Sequence, residues 1–257
     1  MTSPPTSKDT APGLLDSIDL VIFDFDGVIA DSEVISLSTL HRALADFGIY
    51  MSLSAVRERF LGTSMRTILR QVRILNPACS TAEFADRWQN MLFEQFRRDL
   101  APVPGIVPLI DRLQDAQIRY CIGSSSSFER LGIALDAMAL TSRFRHVFNA
   151  EQVVRGKPAP DLFLHAAQQL GTAPTRCLVI EDSPFGVRAA KAAGMRCAGF
   201  VGGVHMAGIR DDHAARLRAA GADLILDSFA PVAPETLAHG QVLGNPVSGE
   251  TEERATR

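Results

Sequence analysis

Residues 21–32, VIFDFDGVIADS, decide the fold. Val21-Ile22-Phe23 is a short apolar run with two β-branched residues, the composition of a buried strand. It runs out into Asp24-Phe25-Asp26-Gly27. Side chains at i and i+2 of a strand share a face, so the two carboxylates crowd each other near its end. Like charges that close are unfavourable unless a cation sits between them or one carboxyl keeps its proton. Gly27 permits a sharp turn, and Asp31 or Ser32 can cap the helix that follows. Taken alone, the stretch fits an Asx-rich turn as well as it fits a binding site.

The chain on either side supplies the context. Residues 1–17 are rich in Pro, Thr and Ser and read as a disordered extension. Residues 32–100 carry only helical patterns. Leu37, Leu40, Leu44 and Phe47 recur at helical spacing, and Ser80 to Glu83 fits a capping box ahead of Phe84, Trp88, Met91, Leu92 and Phe96. No strand candidate interrupts this block, so it reads as a separate helical domain. From Pro102-Val103-Pro104-Gly105 onward, helices and strands alternate. Strands are expected at Arg119–Ile122, near Val147-Phe148, and at Cys177–Ile180, Cys197–Val201 and Asp223–Leu226. Alternation of this kind predicts an α/β domain, a doubly wound and mostly parallel sheet formed by residues 18–31 and 101–237. Residues 238–257 turn polar and read as a disordered tail.

Composition narrows the function classes. The 257 residues are 46% hydrophobic and 21% charged, which suits a globular protein with a sizeable core. A net charge of −3 leaves no basic footprint for nucleic acid. No apolar run approaches the roughly 18–20 residues of a membrane span, and the N-terminus lacks the pattern of a signal peptide. The four cysteines, Cys79, Cys121, Cys177 and Cys197, have no metal-binding spacing and read as reduced packing residues. A cytoplasmic monomer or homodimer is expected.

In an open parallel sheet, ligands bind beyond the carboxyl ends of the strands. Three expected strands end in polar clusters: Asp24/Asp26, then Ser124 to Ser127, then Glu181/Asp182. Lys157 lies in the loop Gly156-Lys157-Pro158 ahead of another helix. Each piece has an ordinary explanation. Ser126 could be an N-cap with Glu129 as its box partner, Lys157 a solvated loop lysine, and Glu181 to Pro184 a helix start. Together they suit a hard cation and a phosphate. Mg²⁺ takes carboxylate oxygens and completes its shell with substrate phosphate. Hydroxyls and helix N-terminal amides hold phosphate oxygens, and a lysine offsets their charge.

At these positions the chain resembles the haloacid dehalogenase superfamily of phosphotransferases. The matching segments are DFDGVIADS at 24–32, Ser124 in IGSSS, Lys157 in GKPAPDLF and EDSPFGVRAA at 181–190, in family order. In detail it is similar to the members with a small helical cap inserted after the first motif, among them β-phosphoglucomutase and phosphoglycolate phosphatase. The block 32–100 is where that cap would fall. The resemblance implies roles for individual residues. Asp24 matches the nucleophile that forms an aspartyl-phosphate, and Asp26 the general acid and base. Ser124 and Lys157 match the groups that bind and neutralise the transferring phosphoryl, with Ser125 beside them. Asp24, Asp182 and the backbone carbonyl of Asp26 match ligands of Mg²⁺, with Glu181 acting through water. In the cap, Arg66 in GTSMR and, at the hinge, Glu33 are candidates for contact with the substrate.

Departures from the family pattern sort its reactions. Asp26 argues against L-2-haloacid dehalogenation, which uses no acid there. No lysine occurs between Lys8 and Lys157, so the helical block cannot supply a Schiff-base lysine. Ser36 stands near where β-phosphoglucomutase carries a histidine, and the block lacks the mutase's lysine. The expectation is a Mg²⁺-dependent phosphatase acting on small-molecule phosphate esters such as sugar or polyol phosphates, with a hexose-phosphate mutase as the alternative.

Overall fold

The computed structural model describes residues 18–230 and 232. The expected extension over 1–17 and tail over 238–257 lie outside the described residues. In chain order the elements are β1 (Leu20–Phe23), α1 (Glu33–Asp46), α2 (Leu53–Phe60), α3 (Met65–Leu75), α4 (Thr81–Asp99), α5 (Ile106–Asp115) and β2 (Arg119–Ser124). They continue with α6 (Phe128–Ala137), β3 (Val147–Asn149), α7 (Asp161–Gln169), β4 (Cys177–Glu181), α8 (Pro184–Ala192), β5 (Arg196–Phe200), α9 (Arg210–Ala219) and β6 (Leu224–Leu226).

The strands form one parallel sheet in the order β3-β2-β1-β4-β5-β6. The chain leaves β1 toward β2 on one side and returns to β4 on the other. That reversal of direction creates a crevice at the carboxyl ends of the strands. The apolar composition of β1 follows from its position. Val21 and Phe23 face a core shared with α5 and α6, and Leu20 and Ile22 face a second core beneath α7, α8 and α9. A strand buried on both faces has no polar side.

Helices α1 to α4 hold a core of their own, with Leu40, Val56, Ile68, Phe84 and Trp88 buried within it. The indole of Trp88 donates to Thr39 Oγ1 at 3.2 Å, so its one polar atom is satisfied there. The last turns of α4 leave this core. Leu92, Phe93 and Phe96 join the packing around α5 and α6 instead. One helix therefore stiffens both bodies.

Two helix starts differ from the sequence expectation, for one shared reason. The cap of α6 is Ser127, whose hydroxyl accepts from the Arg130 amide, rather than Ser126. Ser32 occupies the N-cap position of α1 but makes no side-chain cap bond. In both cases the hydroxyl is taken by Asp26, as described below. Cys121, Cys177 and Cys197 are buried, and the four cysteines are free thiols.

Candidate active site

The sheet topology brings the three polar strand ends side by side. Asp24 follows β1, Ser124 closes β2 and Glu181 closes β4, with β2 and β4 both paired to β1. The Asp24 amide donates to the Ile180 carbonyl at 2.9 Å, which locks its backbone to the neighbouring strand. Ser124 is buried, and its hydroxyl accepts from the Ser126 amide at 3.0 Å. A cavity of about 620 Å³ opens between this rim and helices α1, α3 and α4. Asp24, Asp26, Glu33, Ser124, Ser125, Lys157, Glu181 and Asp182 all line it. Arg66 does not: it is exposed on α3, and its neighbour Met65 faces the cavity instead.

Lys157 ties two of the strand ends together. Its Nζ donates to Asp24 Oδ1 and to Glu181 Oε1, both at 2.6 Å, with the side chain only 5% exposed. The ammonium also lies 4.9 Å from the centre of the Phe163 ring, a cation–π contact that supports it from below. Burial alone would favour the neutral amine, but the two carboxylates outweigh it and hold the lysine above its ordinary range. On the other carboxylate oxygen, Glu181 accepts from the Ser183 amide at 2.8 Å. Ser183 in turn caps α8, with Pro184 at its first position.

Asp24, Glu181 and Asp182 each offer a carboxylate oxygen, and these atoms lie within 4.8 Å of one another. All three acids bind protons more tightly than usual. Burial is the main cause for each, reinforced by Glu181 acting on Asp24, by Asp182 acting on Glu181 and by Asp24 acting on Asp182. One lysine does not balance three buried acids. Hard oxygen donors gathered this closely suit a divalent cation such as Mg²⁺, so the residues present fit the metal implied by the sequence. Gly27, at φ +80°, completes the enclosure, because a Cβ there would collide with the Asp182 carboxylate.

Asp26 is turned away from this triad. Its carboxylate accepts from Ser32 Oγ at 2.5 Å, from Ser126 Oγ at 2.6 Å and from Arg130 Nη2 at 2.7 Å. Burial would raise its affinity for protons. The Arg130 guanidinium and the two hydroxyls outweigh that and hold the carboxyl below the usual range. Asp26 is thus an ionised carboxylate, oriented by three donors in this conformation. Arg130 also donates to Ser36 Oγ at 3.1 Å on α1 and lies over the Phe96 ring of α4. Sequence reasoning passed over Arg130. A signal was present: it sits in the first turn of α6, where the helix dipole disfavours a cation, so some other partner has to hold it there.

His205 was also missed. A lone histidine in a single 3-10 turn, Val204–Met206, carries no such signal. Burial keeps it neutral, and Nε2 lies 3.2 Å from Asp182 Oδ2 without the alignment of a hydrogen bond. Its carbonyl accepts from Arg57 Nη2 at 2.5 Å, a direct tie between α2 and the loop after β5. Glu33 is half-buried, and burial with the nearby Asp26 and Asp182 pushes its carboxyl up to about 7.

The sequence pattern of haloacid dehalogenase-like hydrolases matches residues 21–200. The chain belongs to this family. As a haloacid dehalogenase-like hydrolase it has relatives along most of its length. A haloacid dehalogenase-like protein from Agrobacterium tumefaciens has a solved structure 36% identical to it, with a TM-score of 0.71 over 84% of this chain and 96% of that one. The β-phosphoglucomutase of Bacillus subtilis is 30% identical over 196 residues, 73% of this chain and 85% of the relative. The fructose-1-phosphate phosphatase YqaB of Escherichia coli is 29% identical over 181 residues, 68% and 92% respectively. Among the described residues, no helix is long and apolar enough to cross a membrane.

Proposed function

We propose that this hydrolase is a Mg²⁺-dependent phosphatase of small phosphorylated metabolites, sugar or polyol phosphates, working through an aspartyl-phosphate on Asp24. One observation carries the reading. Lys157 bridges Asp24 and Glu181 at 2.6 Å each, beside Asp182 and Ser124 at the ends of adjacent strands. Phosphoryl transfer depends on positioning and on charge stabilisation, and this cluster supplies both. The fructose-1-phosphate phosphatase relative supports the substrate class.

The residues divide the work. Asp24, Asp182 and the backbone carbonyl of Asp26 would hold the metal, with Glu181 as an outer ligand. When bound, Mg²⁺ would supply positive charge to offset that of the phosphate. Ser124 Oγ and Lys157 Nζ fix the remaining phosphoryl oxygens. An Asp24 oxygen attacks phosphorus, and the bond to the leaving oxygen breaks as that oxygen takes a proton from Asp26. Water then attacks the phospho-aspartate and gives its proton to Asp26. Phosphate leaves, and the Asp24 carboxylate is restored. The helical block 32–100 serves as the cap over the cavity. Asp26 as observed fits the second half-reaction, because it is ionised and held. For the first it has to leave Arg130 and carry a proton.

Phosphate release from a panel of phosphate esters, with Mg²⁺ and again with EDTA, tests the reading. Metal-dependent turnover of neutral sugar phosphates is expected. A panel on which no ester releases phosphate would remove the proposal.

Arg130 gives a sharper check on Asp26. In Arg130→Gln the water-activating base loses its cationic partner. We expect kcat to fall about tenfold, a fraction of the roughly 10²–10⁴ that a positioned acid or base supplies. With 4-nitrophenyl phosphate, whose leaving group needs no proton, a burst of nitrophenolate should precede the slow steady state, and Arg130→Lys should recover part of kcat. If burst rate and steady state decline together, Arg130 does not serve Asp26 in that step.

A further inference from the structure

The cavity carries more information than the phosphate site at its base. Among the described residues, six carboxylates line it: Asp24, Asp26, Glu33, Glu151, Glu181 and Asp182. Only two cations do, and both are committed. Lys157 is held by Asp24 and Glu181, and Arg130 by Asp26. The wall opposite the strand ends is built differently. Leu37, Phe60, Met65, Ile68, Trp88 and Phe93 form most of it. Its polar members on α3 and α4, Thr67 and Gln89, are neutral, and no lysine or arginine of α1 to α4 faces the cavity.

We infer that the substrate is a monophosphate whose leaving group is an uncharged alcohol with an apolar face, and that a second anionic group is rejected. This rests on the phosphatase reading above. A second phosphate or a carboxylate would enter the apolar part of the cavity. It would lose its hydration there, find no cation and face Glu33 at the hinge. An alkyl chain or the C–H face of a neutral sugar meets the opposite situation, since it covers apolar wall that water solvates poorly. The volume suits a leaving group larger than the phosphate itself. The same chemistry separates phosphatase from mutase: a mutase proceeding through a bisphosphate has to seat two phosphates at once, and this cavity has charge for one.

Primary-alcohol phosphates test the inference, because their leaving groups share one chemistry. The panel is ethyl, hexyl, glycolate and fructose 1,6-bis-phosphate, with Mg²⁺ and the full chain. Four added methylenes packed on this wall should raise kcat/KM for hexyl over ethyl phosphate by at least about tenfold. The carboxylate of phosphoglycolate should lower it by at least about tenfold against ethyl phosphate, a penalty for an unpaired buried charge. A cation placed in the wall should invert the order. In Met65→Arg, at the half-buried start of α3, kcat/KM for phosphoglycolate or the bisphosphate should rise about tenfold while that for hexyl phosphate falls. The inference is overturned alone if phosphoglycolate or the bisphosphate outpaces the neutral esters in the unmodified enzyme, or if hexyl gains nothing over ethyl. If no ester is hydrolysed at all, the inference falls together with the phosphatase reading.

Discussion

Asp24→Asn is expected to abolish turnover and leave the fold intact. An amide oxygen is a poor nucleophile, and replacing the nucleophile of a covalent mechanism costs roughly 10⁴–10⁶ in kcat. The fold should tolerate the exchange because the two side chains have the same shape and the charge that is lost takes an attraction and repulsions away together. Asparagine keeps an acceptor for Lys157 Nζ, which now donates to Asp24 Oδ1 at 2.6 Å. The substitution loses the attraction to Lys157 and relieves the repulsion from Glu181 and Asp182, which adds to burial in raising these acids' proton affinity. Melting temperature should therefore stay within a few degrees of the parent, and vanadate or another phosphate analogue should still bind with Mg²⁺. Single-turnover phosphate release and a thermal melt on the same preparation decide the matter. Activity within tenfold of the parent would take the aspartyl-phosphate route away from Asp24.

The fold was largely legible because its signals are local. Val21-Ile22-Phe23 and Cys177–Ile180 read as buried strands from composition alone, and Pro102 to Gly105 marked the change from helices to alternation. Strand ends slipped by a residue or two. Ser124 and Glu181 belong to β2 and β4, because polar residues at a sheet's rim still pair through their backbones. The parts that sequence reasoning left out are held by contacts distant in the chain. Arg130 and Asp26 are 104 residues apart, and Arg57 meets the carbonyl of His205 across 148. No periodicity encodes such pairs. Choosing between Met65 and Arg66 needed the helix phase about Ser64, the N-cap of α3, which turns the methionine inward and the arginine to solvent.

Lys157→Met should separate stability from chemistry more sharply than any other exchange in the site. The methionine can occupy the space over Phe163, but it leaves Asp24 and Glu181 facing each other with no cation between them. Removing one member of a buried ion pair costs about 3–5 kcal/mol, since the abandoned charge stays buried. In a chain of this size that corresponds to a melting temperature lower by about 6–20 °C. The pH dependence has a definite sign. Asp24 and Glu181 already bind protons more tightly when folded than when unfolded, and losing the lysine strengthens this. Groups with raised folded pKa values favour the folded state increasingly as pH falls, so the deficit should be smaller at pH 5 than at pH 8. Mg²⁺ at pH 8 should also recover part of it, because a cation among Asp24, Glu181 and Asp182 replaces some of the lost positive charge. Turnover should not recover with stability. A donor to the phosphoryl oxygens is gone, a loss of roughly 10²–10³ in kcat that no change of pH or metal restores. A variant that melts like the parent at pH 8 would mean that Lys157 carries little of the buried charge, and a variant whose kcat at saturating Mg²⁺ equals the parent's would confine the lysine to a structural role.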